Sequence, residues 1–238
     1  MIDRVGGSEL DQRDALNGDA LVVSLKRRFR TAALDVPVGD RTFTILKPAN
    51  PDDLIREEDF VKDERLPYWA DVWPSSVILA AKLLEVDGHG RNALELGCGA
   101  GLCSTAAHSA GFEVLSTDYY DDALEFTRAN VFLNLGVEAR TSPFDWRHPP
   151  SGLARYDLVF ASDVLYEEEY ARLLPQILLR TLGPNAFAMI GDPGRVAAPL
   201  FVESCTEAGL SARIIETRPF ESGEIRQRID IYEVKRAN

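Results

Sequence analysis

The stretch Ala93-Leu94-Glu95-Leu96-Gly97-Cys98-Gly99-Ala100-Gly101 runs an apolar strand pattern straight into alternating glycines and on into an alanine-rich helical pattern. Glycines suit a chain that turns tightly while a ligand approaches its backbone, because a Cβ would collide with that ligand. Alone, such a run is equally consistent with a plain strand-to-helix turn. Asp118 shifts the balance, since it ends the next strand pattern roughly twenty residues on, where a carboxylate can accept hydrogen bonds from ribose hydroxyls. Gly97, Cys98, Gly99, Gly101, Asp118 and the adjacent Tyr119 therefore form a candidate nucleotide site. Asp145 and Trp146 stand just past the third strand pattern, where a carboxylate could accept from an adenine amine and a ring could cover the base; ordinary loop chemistry is the alternative. A second cluster follows the fourth strand pattern, Tyr156-Asp157-Leu158-Val159-Phe160-Ala161-Ser162-Asp163-Val164-Leu165-Tyr166. Open parallel sheets bind ligands outside the carboxyl ends of their strands, so Asp163 and Tyr166 are expected to face the reacting group, with Ser162 among the residues that contact the nucleotide. A helix cap and a buried aromatic would be the bland reading.

The type of nucleotide follows from two residues. A dinucleotide fingerprint G-x-G-x-x-G would need glycine at position 102, where Leu102 stands. Glu95 precedes the loop by two residues, an unwelcome anion beside a pyrophosphate but a harmless or useful one beside a sulfonium and an ammonium. This favours S-adenosyl-L-methionine over NAD. The residues resemble the seven-strand methyltransferases, whose first motif is an acidic residue, a spacer and G-x-G-x-G. Asp163-Val164-Leu165-Tyr166 looks like the Asp-x-x-Tyr motif of the protein lysine methyltransferases in that group. Pro67-Tyr68-Trp69-Ala70-Asp71-Val72-Trp73-Pro74 resembles their Trp-containing segment before the first core helix. Gly191-Asp192-Pro193-Gly194-Arg195 is similar to the segment after the fifth strand in the branch that methylates the electron-transfer flavoprotein β subunit. The resemblance covers about Leu66 to Val234 and leaves out the first sixty residues.

The resemblance implies an S-adenosylmethionine-dependent N-methyltransferase acting on a lysine of a protein, either the electron-transfer flavoprotein β subunit or another basic protein. It implies Asp163 and Tyr166 as the catalytic pair and Trp73 among the cofactor contacts, with no metal. A lysine ammonium, with a reference pKa of ~10.4, must lose a proton before its nitrogen can attack a methyl carbon. Asp163 would orient the neutral amine, and Tyr166 with Trp73 or Trp69 would enclose its alkyl stem. The runner-up is a small-molecule N-methyltransferase acting on a pyridine or an amine. A nucleic-acid amino-methyltransferase would carry Asn/Asp-Pro-Pro-Tyr after the fourth strand, and Val164-Leu165 supply neither proline. A nicotinamide-dependent oxidoreductase is disfavoured by Leu102, and a non-catalytic module by the intact Glu95, Asp118 and Asp163.

The elements that must position these residues alternate. Val77, Ala80, Ala81 and Leu84 mark a helix from Pro74, followed by strand Asn92 to Leu96, helix Leu102 to Ala110, strand Glu113 to Thr117 and helix Asp121 to Asn134. Strands Val137 to Thr141 and Leu158 to Ala161 follow, then a helix carrying Tyr170, Leu173, Leu174, Ile177 and Leu178. After a break at Gly183-Pro184 come strand Ala186 to Ile190, a helix around Leu200 to Ala208, and strands Ser211 to Thr217 and Arg228 to Val234. The expected fold is α/β and Rossmann-like, a seven-stranded mostly parallel sheet with helices on both faces and an antiparallel C-terminal edge hairpin. Residues 66–238 form the expected methyltransferase domain, and residues 1–65 an N-terminal extension. That extension has a loosely ordered start over about twenty residues and a hairpin made by Ala33 to Pro37 and Arg41 to Leu46 around Gly39-Asp40. Pro48 to Arg65 reads as a loop or short helix, and Lys26-Arg27-Arg28-Phe29-Arg30 as a solvated helix or strand face.

Composition narrows the partners. With 45% hydrophobic and 27% charged residues in 238, the chain is an ordinary globular sequence. A net charge of −12 repels polyanions, so a basic protein or a cationic small molecule is the expected partner and nucleic acid is not. No apolar run reaches the ~18 to 20 residues of a membrane span, and five acids within the first twenty residues argue against a transit peptide. A cytoplasmic location away from membranes is expected. Cys98, Cys103 and Cys205 have neither metal-ligand spacing nor an even count, and read as small core residues.

Overall fold

The computed structural model describes residues 17–54 and 66–237. Its first element is helix α1 (Gly18–Arg28), which the sequence pattern did not delimit. Asn17 caps it by accepting from the Ala20 N–H at 3.0 Å, and Lys26, Arg27 and Arg28 place positive charge in its last turn, where the helix dipole favours it. The basic run is thus a helix end, and Arg28 is paired with Asp122 and Glu125. Strands β1 (Thr31–Val38) and β2 (Arg41–Pro48) form the expected hairpin around Gly39-Asp40, with Val38 opposite Arg41. Both strands run further than their apolar patterns. A short 3-10 turn follows at Pro51–Leu54. The reading of the chain's start and of the loop up to Arg65 falls mostly outside the described residues.

The main body alternates as anticipated: α2 (Pro74–Leu84), β3 (Asn92–Leu96), α3 (Leu102–Ser109), β4 (Glu113–Asp118), α4 (Asp121–Leu135), β5 (Arg140–Pro143), β6 (Tyr156–Ser162), α5 (Glu168–Thr181), β7 (Leu182–Asp192), α6 (Ala198–Glu207), β8 (Leu210–Ser222) and β9 (Ile225–Arg236). The seven-stranded sheet has the order β5-β4-β3-β6-β7-β9-β8. Pairs β5-β4, β4-β3, β3-β6 and β6-β7 are parallel, while β9 pairs antiparallel with both β7 and β8. The C-terminal hairpin is therefore at the edge, with its second strand inserted next to the parallel core.

Both faces are covered. Leu158 and Phe160 of β6 join Leu79, Leu83, Cys103 and Ala107 of α2 and α3, whereas Val159 and Ala161 join Leu174, Leu178, Phe201 and Cys205 of α5 and α6. This period-two division, apolar on both sides, is what a central parallel strand requires. A third cluster joins Leu21, Val22 and Leu25 of α1 to Phe126 and Ala129 of α4, Leu46 of β2 and Trp69.

The C-terminal strands β8 and β9 run beyond the expected Ser211–Thr217 and Arg228–Val234, and two core strands start elsewhere than their patterns. β5 starts at Arg140, three residues later than Val137, because Gly136 ends α4 in the left-handed conformation and the next residues are spent on the connection. β7 starts at Leu182, before Gly183-Pro184. A register shift between the Tyr156–Leu182 and Leu158–Phe187 pairs, with Asn185 at φ 61°, absorbs the glycine and proline as a bulge. No described helix is long and apolar enough to cross a membrane.

Candidate active site

The sheet's strand order reverses between β3 and β6, which send their connections to opposite sides. A crevice opens outside the carboxyl ends of strands at such a point. Here it is a cavity of about 420 Å³, and every site residue expected from the sequence lines it.

The glycine loop is built by β3, β4 and α4 together. Gly97 and Cys98 donate their N–H groups to the Thr117 carbonyl at 2.8 and 2.9 Å, bending the chain across the end of β4. Gly101 has φ 84°, and a Cβ there would stand 2.7 Å from the Thr127 Cα of α4. The last glycine is thus required by close packing of the loop on α4, not by ligand approach alone. Asp118 supports the loop from below, its Oδ2 accepting from Gly99 N–H at 2.9 Å and its Oδ1 from Tyr120 N–H at 3.1 Å. Burial pushes its carboxyl above the usual range, opposed by those backbone donors.

Glu95 points from β3 into the same cavity. It is buried and accepts from the Ser104 hydroxyl, which is itself bonded to Ser116. Burial, which outweighs those donors, pushes its carboxyl up to about 8. Asp145 is arranged differently: Arg147 holds it through Nε, Nη2 and backbone N–H, and His148 adds a contact at 3.2 Å. Those partners hold its carboxyl well below the usual carboxylate range. Its acceptor capacity is largely taken up within its own loop.

At the other strand end, Asp163 has φ 56°, an uncommon conformation for a non-glycine residue. Its N–H donates to Gly191 of β7 at 2.9 Å. Ser75, in the first turn of α2, donates to its Oδ2 at 2.8 Å, and Arg195 donates through Nε and Nη2 to its Oδ1 at 2.8 and 2.7 Å. The positive φ is therefore a held geometry, not a helix cap. Aromatic rings run from this point along the wall: Trp73 meets Tyr68 at 6.1 Å between centroids, Tyr68 meets Tyr166 at 5.6 Å, Tyr166 meets Tyr170 at 5.2 Å, and Tyr170 meets Trp146 at 5.6 Å. Trp73 is fixed by its indole N–H, which donates to the Tyr68 carbonyl at 2.8 Å.

Sequence reasoning missed Ser75, Ser104, Ser116 and Arg195 as functional partners. The serines carry no distinguishing pattern. Arg195 lies in Gly191-Asp192-Pro193-Gly194-Arg195, a segment marked only by its resemblance. The cavity's ionisable lining is lopsided: the acidic side chains of Asp71, Glu95, Asp118, Asp145, Asp163 and Glu167 line it, against one basic side chain among the described residues, Arg195. Such a lining suits a ligand that carries positive charge. Among the described residues, no group of three or more His, Cys, Asp or Glu is placed to hold a metal ion.

Comparison with known proteins agrees with this architecture. The chain is 34% identical over 137 residues to the electron transfer flavoprotein beta subunit lysine methyltransferase of Xenopus laevis, covering 54% of this chain and 53% of that protein. It is 34% identical over 126 residues to protein N-lysine methyltransferase METTL21A of Danio rerio, covering 48% of this chain and 56% of the relative. The chain thus spans about half the length of the curated relatives it matches. In fold it is similar to the ribosomal protein L11 methylase of Lactobacillus delbrueckii subsp. bulgaricus, with a TM-score of 0.52 at 21% identity, covering 67% of this chain and 77% of that one. Residues 57–196, more than half of the chain and the part that builds the cavity, match the lysine methyltransferase family model, and the chain belongs to that family.

Proposed function

We propose that the cavity binds S-adenosylmethionine and that the protein transfers its methyl group to the side-chain nitrogen of a protein lysine. The observation that carries this reading is the lining itself: six acidic side chains, a wall of aromatic rings and a glycine loop meet where the strand order reverses. That donor set fits a ligand with a sulfonium and an ammonium. Glu95 and the loop from Gly97 to Gly101 would take its amino-acid end. Asp118, with Tyr119 beside it, would take the ribose, since the backbone N–H donors of Gly99, Tyr119 and Tyr120 still leave its carboxyl a lone pair. Trp146 and Asp145 would flank the base, and Trp73, Cys98 and Ser162 would complete the contacts. When bound, the cofactor supplies an electrophilic methyl on sulfur: the amine lone pair forms the N–C bond, the C–S bond breaks to a thioether, and the extra proton leaves to water.

Asp163 would accept an N–H of the incoming amine and align its lone pair, while Tyr166 encloses the alkyl stem. Positioning of this kind contributes more than base strength. We take residues 66–238 as the catalytic domain and residues 1–65 as an extension whose α1 and hairpin brace α4. The electron-transfer flavoprotein β subunit is the first acceptor to try, because an identified relative carries that name. A cytoplasmic setting accords with three free, buried cysteines. The test incubates the protein with methyl-labelled S-adenosylmethionine and lysate from a strain lacking it. Label on a lysine of one protein supports the reading; label confined to small amines, or to nucleic acid, replaces it.

A further inference from the structure

We propose that Arg195 is a positioning residue that supplies the counter-charge of Asp163, so that the acceptor lysine settles in the site as a neutral amine instead of an ammonium ion-paired to that carboxylate. The proposal rests on the lysine reading above and names how the site sets the acceptor's protonation state.

The arrangement is a built one. Asp192, fully buried at the end of β7, accepts at one oxygen from the N–H groups of both Gly194 and Arg195, each at 2.8 Å. Gly194, at φ 84°, turns the chain so that residue 195 faces back toward β6. The guanidinium then places Nε and Nη2 on a single oxygen of Asp163 and stands 5.7 Å from the centre of the Trp73 ring. Asp163 is otherwise clamped by Ser75 and by Gly191, and its side chain is 5% exposed against 37% for Arg195. A carboxylate so enclosed and without a counter-charge would bind an arriving ammonium tightly and hold its proton, leaving no lone pair for attack. With the guanidinium in place, that charge is already balanced, and Oδ2 of Asp163, which accepts from Ser75, retains a lone pair that accepts an N–H.

The other titratable groups near the pair do not substitute for Arg195. Tyr68 and Asp71 come from the segment before α2, and Asp71 is paired with Lys47. Tyr166 and Glu167 follow β6. Asp192 lies on Arg195's own loop, with its carboxyl raised by burial. All are acids, and Arg195 is the one cation lining the cavity among the described residues.

The test follows initial rate against pH, from about 6 to about 10, for the full chain as wild type, Arg195→Lys and Arg195→Gln, on the acceptor found by labelling. In parallel, n-butylamine binding to protein saturated with S-adenosylhomocysteine is measured over the same range. Arg195→Gln should move the acid limb of kcat upward by about one pH unit, a loss of about tenfold near pH 7 that is recovered at high pH, with acceptor KM unchanged or lower. Arg195→Lys keeps the charge and should keep the limb in place. Wild-type affinity for n-butylamine should rise with pH, whereas Arg195→Gln should prefer the ammonium and bind best at lower pH. A pH-independent loss of rate in both variants, with the limb unmoved, overturns the proposal. The same n-butylamine profile in wild type and Arg195→Gln, or binding to neither, also overturns it. If the acceptor proves not to be an amine, the lysine reading falls and the n-butylamine profiles alone decide the role of Arg195.

Discussion

A carboxyl buried among two serines and a glycine loop is a costly group to ionise, and Glu95 shows the cost by titrating at about 8 against an ordinary value of 4.5. Between those values the folded protein keeps a proton that the unfolded chain has lost. By linkage, stability falls as pH rises from about 4.5 to about 8 and is level beyond. Thermal melts across that window should show this component in wild type and lack it in Glu95→Gln. A cationic ligand reverses the preference, so binding S-adenosylmethionine near pH 7 should expel the proton. Calorimetry in buffers of different protonation enthalpy measures that count, and an equal count for Glu95→Gln would contradict the placement of the cofactor's charged end. Glu95, Asp118 and Asp163 were legible because each stands a fixed step from a strand end or a glycine. Ser75, Ser104 and Arg195 were not, since their roles depend on which segments the fold brings together. Ser75 lies 88 positions from the carboxylate it supports, and Arg195 lies 32.

At the scale of elements, the glycine loop is the seam between β3 and α3, and its tightest contact is with α4. Gly101→Ala should therefore be far worse than an ordinary glycine substitution. The left-handed backbone costs about 1–2 kcal/mol for alanine, and the new Cβ would also press on the Thr127 backbone 2.7 Å away. Gly136→Ala is the matched control, with a similar φ of 68° and nothing within 4 Å. Denaturant unfolding should show a clearly larger loss for Gly101→Ala, together with weakened S-adenosylmethionine binding; equal losses would mean that the loop yields without strain. Boundaries in the core strands and helices could be read from periodicity because each has a buried stripe. β5 slipped because Val137 and Ala139 continue an apolar pattern that Gly136 has already turned aside. β7 was cut short because Gly183-Pro184 reads as a break, whereas a bulge carries it. Helix α1 went undelimited because its polar start and basic end outweigh the three large apolar side chains, Leu21, Val22 and Leu25, that it buries.

For the molecule as a whole, the decisive feature is the strand order, which periodicity in a single sequence does not state. Alternating strands and helices imply a parallel sheet, but only the observed order shows that β3 and β6 are neighbours whose loops diverge. That divergence puts the Asp118 and Asp163 ends in one cavity. The cavity lining has the same acidic bias as the −12 chain, with six acidic side chains and one arginine among the described residues, a balance that favours a cationic ligand. The central claim is that this cavity is divided, with the cofactor held at β3 and β4 and the acceptor aligned at β6. The measurement that tests it most directly compares turnover and S-adenosylmethionine affinity in Asp118→Ala and Asp163→Asn. Asp118→Ala should weaken cofactor binding by about 1–3 kcal/mol, since a buried charged acceptor is lost and Gly99 loses its partner. Asp163→Asn keeps the shape, and should leave cofactor affinity nearly unchanged while turnover falls by about two orders of magnitude. Near-normal turnover in Asp163→Asn, or equal loss of cofactor affinity in both variants, would contradict the division.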